Sequence, residues 1–279
     1  MVERKGQVMD FIQFAAVHGV IIERLDQGRW VRVRTTDKPS HKNGAYKWLG
    51  DVGFVQNWAT MTEPSVWRAE GVDMAAQRAI VRQASLDDDR RNREAAERAK
   101  WILTQCELKP HAYLAGKGFP DELVNVWERD GLMLAVIPMR IGGAIVGCQI
   151  IDDAGDKKFL SGQKTSGATF AIGQGVNVVC EGYATALSVR QALRSIKINA
   201  CVHVCFSAGN MRKVAATLGR GLTIVDNDAS NAGQDAAKAI GWPLWMPDAV
   251  GEDANDYHKR CGLFSLAMGL KVALQSMRA

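Results

Sequence analysis

The sequence predicts an α/β chain: an open, mostly parallel sheet flanked by helices, preceded by a strand-rich subdomain and by a small α+β domain at the N-terminus. Three observations carry this. From Val176 onward, short apolar runs of strand character alternate with helical stretches, the order of a parallel sheet wrapped by helices. Between Leu132 and Gly173, strand-like runs follow one another around a Gly142-Gly143 turn. Before residue 70, one helical stretch leads into short strands separated by turn residues from Pro39 to Gly44.

Residues 1–70 form the first expected domain. It opens on an amphipathic helix with Met9, Ile12, Phe14 and Ala16 along its apolar stripe, followed by the strand-like WVRVRT and YKWLG. Residues 71–109 contain neither Pro nor Gly after Gly71 and carry dense mixed charge (DDDRRNREAAERAK), which predicts an exposed helical connector. The strand-rich part covers 110–172. There HAYLAGKGFPDELV reads as a small helical cap, LMLAVIPMR and AIVGCQIID as a hairpin, and KKFLSG and ATFAIG as shorter strands. In residues 173–260 the alternation is VNVVCEG, ATALSVRQALRSI, NACVHVCFS, NMRKVAATLG, LTIVDND, AGQDAAKAIG and PLWMP. A last apolar helix, LFSLAMGLKVALQ, falls in 261–279.

The bulk properties exclude several classes. A chain of 279 residues can bury a sizeable core, and 47% hydrophobic with 23% charged residues is ordinary for a globular protein. No apolar run is long enough to span a bilayer, and the N-terminus offers no credible cleavage site for a signal peptide. Six scattered cysteines without a CxxC pair suit reduced core thiols, so a cytoplasmic location is expected. The net charge of +5 is unevenly placed. Arg29, Arg32, Arg34, Lys38, Lys42 and Lys47 cluster against one acid, Asp37, with Trp30, Tyr46 and Trp48 interleaved. Cations for phosphates beside aromatic faces for bases are what a single-stranded nucleic-acid surface requires. A solvated hairpin with core aromatics would carry the same residues.

The chemistry is expected where open sheets place it, beyond the carboxyl ends of the strands. Glu181 ends VNVVC, and Gly182 follows as a residue suited to a tight turn into the next helix. Asp226 and Asp228 end LTIV, and their spacing of two puts both carboxylates on one side of an extended chain. Asp253 and Asp256 lie in the acidic stretch GEDANDYH after the strand-like PLWMP, where Asp256 could also cap a helix. Converging carboxylates raise each other's pKa, a cost that a hard divalent cation removes. Cys201, His203 and Cys205 alternate along one strand and read as core, while AGKG and GQKT lack the spacing of a phosphate loop.

In VVCEGYATALSV (Val178 to Val189), CFSAGN (Cys205 to Asn210), IVDNDASNAGQDAA (Ile224 to Ala237) and GEDANDYH (Gly251 to His258) the chain resembles the TOPRIM domain of bacterial replicative primases, topoisomerases and some nucleases. IPMRIGGAIVGCQIIDDAGDKKFLSG (Ile137 to Gly162) is similar to the strand-rich portion that precedes TOPRIM in the primases, and the N-terminal segment looks like the leading domain of phage and plasmid primases. Two features depart from that pattern. The N-terminal segment has no cysteine and a lone His41, which cannot supply a closed four-ligand zinc site, so no zinc is expected. The spacing from Asp228 to Gly233 through Ala229-Ser230-Asn231 is longer than the pattern, loosening the register of that loop.

The resemblance implies a DNA primase that joins NTPs into short RNA primers on a single-stranded DNA template, with Mg²⁺ or Mn²⁺ as cofactor. It implies Asp226, Asp228, Asp253 and Asp256 as metal ligands, with Glu181 completing that site or acting as general acid/base. Glu181, Asp226 and Asp228 are then the catalytic set. Arg140, Lys158 and Lys164 are the expected contacts to nucleotide phosphates or template, joined by Arg29, Arg32, Arg34, Lys42, Lys47 and Trp48 of the N-terminal segment. A replicative helicase is an expected partner, and a membrane is not. Two other readings stay open: a metal-dependent TOPRIM nuclease, which uses the same acids, and a non-catalytic nucleic-acid-binding replication accessory factor. A topoisomerase would need a tyrosine on a separate domain, which this sequence does not offer.

Overall fold

A computed structural model describes every residue except Met1, His41, Thr62, Val72, Ser230, Arg278 and Ala279, with the side chains of Val2–Val8 also left undescribed. His41 and Ser230, both singled out in the sequence, therefore lie outside the described residues. The chain divides into two compact units, Met1–Arg90 and Arg91–Ala279.

In the first unit, helix α1 (Val2–Val17) packs on an antiparallel sheet of β1 (Trp30–Val33), β2 (Gly44–Trp48), β3 (Val52–Asn57) and β4 (Ser65–Arg68), paired in that order. The helix buries Phe11 and Ala15, one turn apart, while Met9 and Ala16 are exposed and Ile12 and Phe14 flank the line half-buried. The apolar stripe is thus centred on residues other than those the sequence pattern suggested. The reason lies in the sheet: the Phe11 ring occupies the space over Gly53, where an added Cβ would lie 2.2 Å from it, and it packs against Tyr46 and Trp67. Strand β3 was not evident in the sequence because it is buried on both faces and so lacks alternation; β4 is only four residues long.

Helix α2 (Met74–Thr104) is a single 31-residue helix that ends in the second unit. There β5 (Glu107–Lys109), α3 (Ala112–Gly116), β6 (Val124–Arg129), β7 (Leu132–Ile141), β8 (Ala144–Ile151) and β9 (Lys157–Phe159) follow, the strands forming an antiparallel meander in chain order. The β7–β8 hairpin turns at Gly142 and Gly143, both at positive φ, as a two-residue primed turn demands. Alternation in β7 serves two cores: Val136 joins Ala99 and Ile102 of α2, whereas Ala135 and Ile137 join the core of the second sheet.

That second sheet comprises β10 (Phe170–Gly173), β11 (Val176–Cys180), β12 (Ala200–Val204), β13 (Gly221–Ile224) and β14 (Leu244–Trp245), in the order β10-β12-β11-β13-β14. Every pair is parallel except the edge pair β10/β12. Helices α4 (Tyr183–Ser195) and α7 (Ala254–Gln275) share a core with Val178 and Cys180 on one face, while α5 (Ala208–Ala215) and α6 (Ala232–Ile240) share one with Val179 on the other. From β11 the chain runs outward to β12 and then crosses back past β11 to β13, which leads outward on the other side to β14, so the carboxyl ends of β11 and β13 flank a topological switch point. Helix α7 starts well before the apolar LFSLAMGLKVALQ and breaks at Gly262, the residue at positive φ inside it. Among the described residues no helix is long and apolar enough to cross a membrane.

Gly53→Ala tests the packing of the first unit. The added methyl has no room beside the Phe11 ring, so the substitution is expected to cost about 1–3 kcal/mol. The denaturant midpoint of the first transition should fall accordingly, and an unchanged midpoint would contradict the packing.

Candidate active site and basic surface

Glu181 follows β11 directly, and its backbone oxygen accepts the Phe206 N–H at 2.9 Å, tying the ends of β11 and β12 together. Gly182 is not in a left-handed turn: it caps α4 in extended conformation, and the positive φ of this region falls on Phe206 instead. The Glu181 carboxylate accepts the N–H of Ala208, the first residue of α5. Asp226 and Asp228 lie beyond β13, Asp226 half-buried and Asp228 exposed.

Between them Asn227 is held as firmly as a strand residue. Its N–H donates to Glu252 O at 2.9 Å, its carbonyl accepts from Gly251 at 2.6 Å, and its amide donates to Pro247 O and Asp248 O. Arg260 then grips both Glu252 oxygens and Asp248. Asn227 was invisible as a functional residue in the sequence, although a polar residue between two acids is a signal that something turns the other way. Gly233 permits α6 to start close to β13, since a Cβ there would lie 3.0 Å from the Val225 side chain.

Asp253 and Asp256 differ from their sequence placement in an acidic loop. Asp253 is the N-cap of α7 and accepts from Asn255 N (2.7 Å) and Asp256 N (2.9 Å), while the Asp256 side chain returns to the Asp253 N–H, completing a capping box. One oxygen of each carboxylate therefore serves the helix. Their charge still reaches the crevice. Desolvation, then Asp253 and Asp228, push the Asp226 carboxyl up to about 6 against the pull of Lys157, and Asp256 adds to the rise. Desolvation, then Asp226, push Glu181 up to about 7; Asp228 adds to this, and the Ala208 N–H and Lys157 oppose it.

A cation whose charge acts on these acids is Lys157, which the sequence did not single out. Its ammonium lies 5.9 Å over the Tyr113 ring. Although the residue as a whole is exposed, its pKa is lowered, first by desolvation and then by Lys117, while Asp253, Asp226 and Glu181 act the other way. Lys158 is the next residue of β9 and projects to the opposite face by strand alternation. Lys164 is exposed in the loop after β9, and Arg140 donates to Gly143 O of its own hairpin turn at 2.9 Å.

Among the described residues no three His, Cys, Asp or Glu side chains close on a point tightly enough to hold a metal ion by themselves. The crevice nevertheless has the chemistry of a hard-cation site: Asp226 Oδ1 is buried without a hydrogen-bond partner, and Glu181 and Asp226 are both held toward their protonated forms. An open set of one or two carboxylates completed by water and phosphate oxygens is the arrangement Mg²⁺ favours.

In the first unit the basic surface is smaller than the sequence suggests. Lys47 is 4% exposed and pairs with Asp88 at 2.5 Å, and Trp48 is half-buried against the core that holds Tyr46, so neither stands out on the surface as the sequence suggests. The cause is register: β2 is the inner strand between β1 and β3, and its side chains are covered on both faces. Arg29 pairs with Asp26, Arg34 and Lys42 are exposed, and Arg32 stacks 4.0 Å from the Trp58 ring while donating to Lys42 O. Among the described residues of this unit, Trp30 (42% exposed) and Trp58 (43%) are the large aromatics left facing solvent. Trp58 lacked a sequence signal because it follows β3, which was itself not evident.

The shifted carboxyls set a pH dependence. Unfolded, Glu181 and Asp226 ionise near 4.5 and 3.8; folded, they keep their protons up to about 7 and about 6. The folded chain therefore binds more protons over that interval, and its stability falls as pH rises from about 4 to about 7. Melting temperature in metal-free buffer should show this decline, Glu181→Gln should flatten it, and Mg²⁺ should raise the melting temperature at pH 8 far more than at pH 5. A metal effect independent of pH would contradict the assignment.

Residues 176–263 match the family described as Toprim domain. No curated protein matches the chain. A Toprim domain is therefore present, and it contains all five acids of the crevice. Toprim domains bind divalent metals such as Mg²⁺ and usually occur in enzymes that process nucleic acids, such as primases, nucleases and recombination or repair enzymes.

Proposed function

We propose that the chain is a DNA primase of the phage or plasmid type, making short RNA primers from NTPs on single-stranded DNA. The observation that carries this reading is Lys157. It belongs to the segment resembling the strand-rich portion before TOPRIM in primases, and its charge acts on Glu181, Asp226 and Asp253. A nuclease could use the acids alone; a cation supplied opposite them suits a triphosphate, whose leaving pyrophosphate must be neutralised.

In this reaction the 3′-hydroxyl oxygen of the primer forms a bond to the α-phosphorus of the incoming NTP, and the bond to the pyrophosphate oxygen breaks. Asp226 and Asp228, with the capping pair Asp253 and Asp256, would hold Mg²⁺ or Mn²⁺. The ion, when bound, neutralises phosphate charge and acidifies the hydroxyl. Glu181, held by the Ala208 N–H, would accept the hydroxyl proton. Lys157 and Lys117 would meet the charge that gathers on the leaving pyrophosphate. Arg140, Lys158 and Lys164 are assigned to more distant template or nucleotide contacts. Oxygen-only donors suit these hard cations, and zinc has no part in the reading. In the first unit Arg29, Arg32, Arg34 and Lys42, with Trp30 and Trp58, would hold template by charge and stacking, and a replicative helicase remains the proposed protein partner.

Incubation with single-stranded DNA, NTPs and Mg²⁺ should yield short RNA, and Asp226→Ala should abolish it while the melting temperature is retained. Degraded template without RNA would instead establish a nuclease. Arg32→Gln with Arg34→Gln should weaken template binding and lessen its salt dependence by roughly one to two counterions, with synthesis recovered at saturating template.

A further inference from the structure

Asn255 sits between the two acids that open α7, yet it faces away from solvent altogether, with no exposed surface. Its amide nitrogen donates to two different elements: to Lys117 O, just past α3, at 2.8 Å, and to Ser188 Oγ of α4 at 3.0 Å. Ser188 Oγ in turn meets His258 Nδ1, one turn further along α7, at 3.1 Å. The Asn255 backbone N–H is taken by Asp253 Oδ1, so one residue joins the cap of α7 to the turn after α3. That turn is held a second time by Lys259 Nζ on Gly116 O at 3.1 Å. The result is that Lys117 reaches to 3.9 Å from Asp256 Oδ1 and stands near enough to Lys157 to affect its charge.

We infer that Asn255 is a positioning residue: it locks the Gly116–Lys117 turn against the head of α7 and so sets the spacing between the lysines of the antiparallel-sheet half and the acids of the Toprim half. The inference rests on the primase reading for its kinetic consequence, not for its structural one. The asparagine amide suits this junction because both partners accept from its two N–H groups, and a side chain without donors removes the bond to Lys117 O. A shift of the order of an ångström in a group that meets the substrate can cost about a hundredfold in rate.

The test is a double-mutant cycle on the full chain with Asn255→Ala and Lys117→Ala, read as kcat and KM for NTP, with amide hydrogen exchange alongside. Asn255→Ala should lower kcat/KM for NTP by about tenfold or more, with faster exchange confined to Gly116–Phe119 and the first turn of α7. In the Lys117→Ala background the same substitution should have little further effect. An equal, additive loss in both backgrounds would overturn the inference, because Asn255 would then act through general stability. Asn255→Ser, too short to span to Lys117 O, replaces alanine if that variant does not fold. Absence of RNA synthesis by the unsubstituted chain would defeat the primase reading and leave this one to the exchange data. Unchanged exchange at Gly116–Phe119 would then overturn it.

Discussion

Carboxylates that repel one another crowd the carboxyl edge of β11 and β13, and the surrounding structure is organised around keeping them there. Nothing in the acids themselves favours the arrangement: desolvation and mutual repulsion raise Glu181 and Asp226 toward neutrality. The force that assembles them comes from elsewhere. Parallel pairing of β11 with β12 and β13 fixes Glu181 relative to Asp226, and burial of both sheet faces makes that pairing costly to break. The site is thus a consequence of core packing, charged at its rim.

Backbone bonds made by residues other than the acids complete it. Asn227 stitches the end of β13 to the stretch from Pro247 to Glu252, and Arg260 clamps Glu252 and Asp248 beneath it. Asp253 and Asp256 stabilise the start of α7, where their carboxylates meet the positive end of the helix. One pair of residues therefore serves helix formation and electrostatics together, which explains why two acids with a plain capping role still weigh on Asp226. The antiparallel meander supplies the opposite charge. Its edge strand β9 carries Lys157, and the turn after α3 carries Lys117, both brought up to acids far away in the chain.

The first unit shows the same physics at a surface. A sheet with α1 on one face can display cations and aromatics only where the other face is uncovered. Arg32 stacked on Trp58 is displayed; Lys47, on an inner strand and paired with Asp88, is not. On the proposed reading, the stacked guanidinium and the exposed indole would supply an anion contact and a base platform in one place.

Sequence by itself determined the Toprim segment, the order of its strands and helices, and the positions of Glu181, Asp226 and Asp228 at strand ends. Apolar runs buried on both faces and acids at their ends are local patterns, written in consecutive residues. It determined the β7–β8 hairpin for the same reason, since Gly142-Gly143 specifies its turn locally. Only the tertiary structure decided which partners the pattern meets. Phe11 rather than Met9 became the buried face of α1 because Gly53, forty-two residues on, leaves the space for its ring. Lys157 rather than Lys158 faces the acids because strand alternation fixes the side but not which side is the crevice. Asp253 and Asp256 became a cap rather than a loop, and Asn255 a junction, because both depend on where α7 begins against α3 and α4. Such choices are set by non-local packing, and no window of sequence contains them.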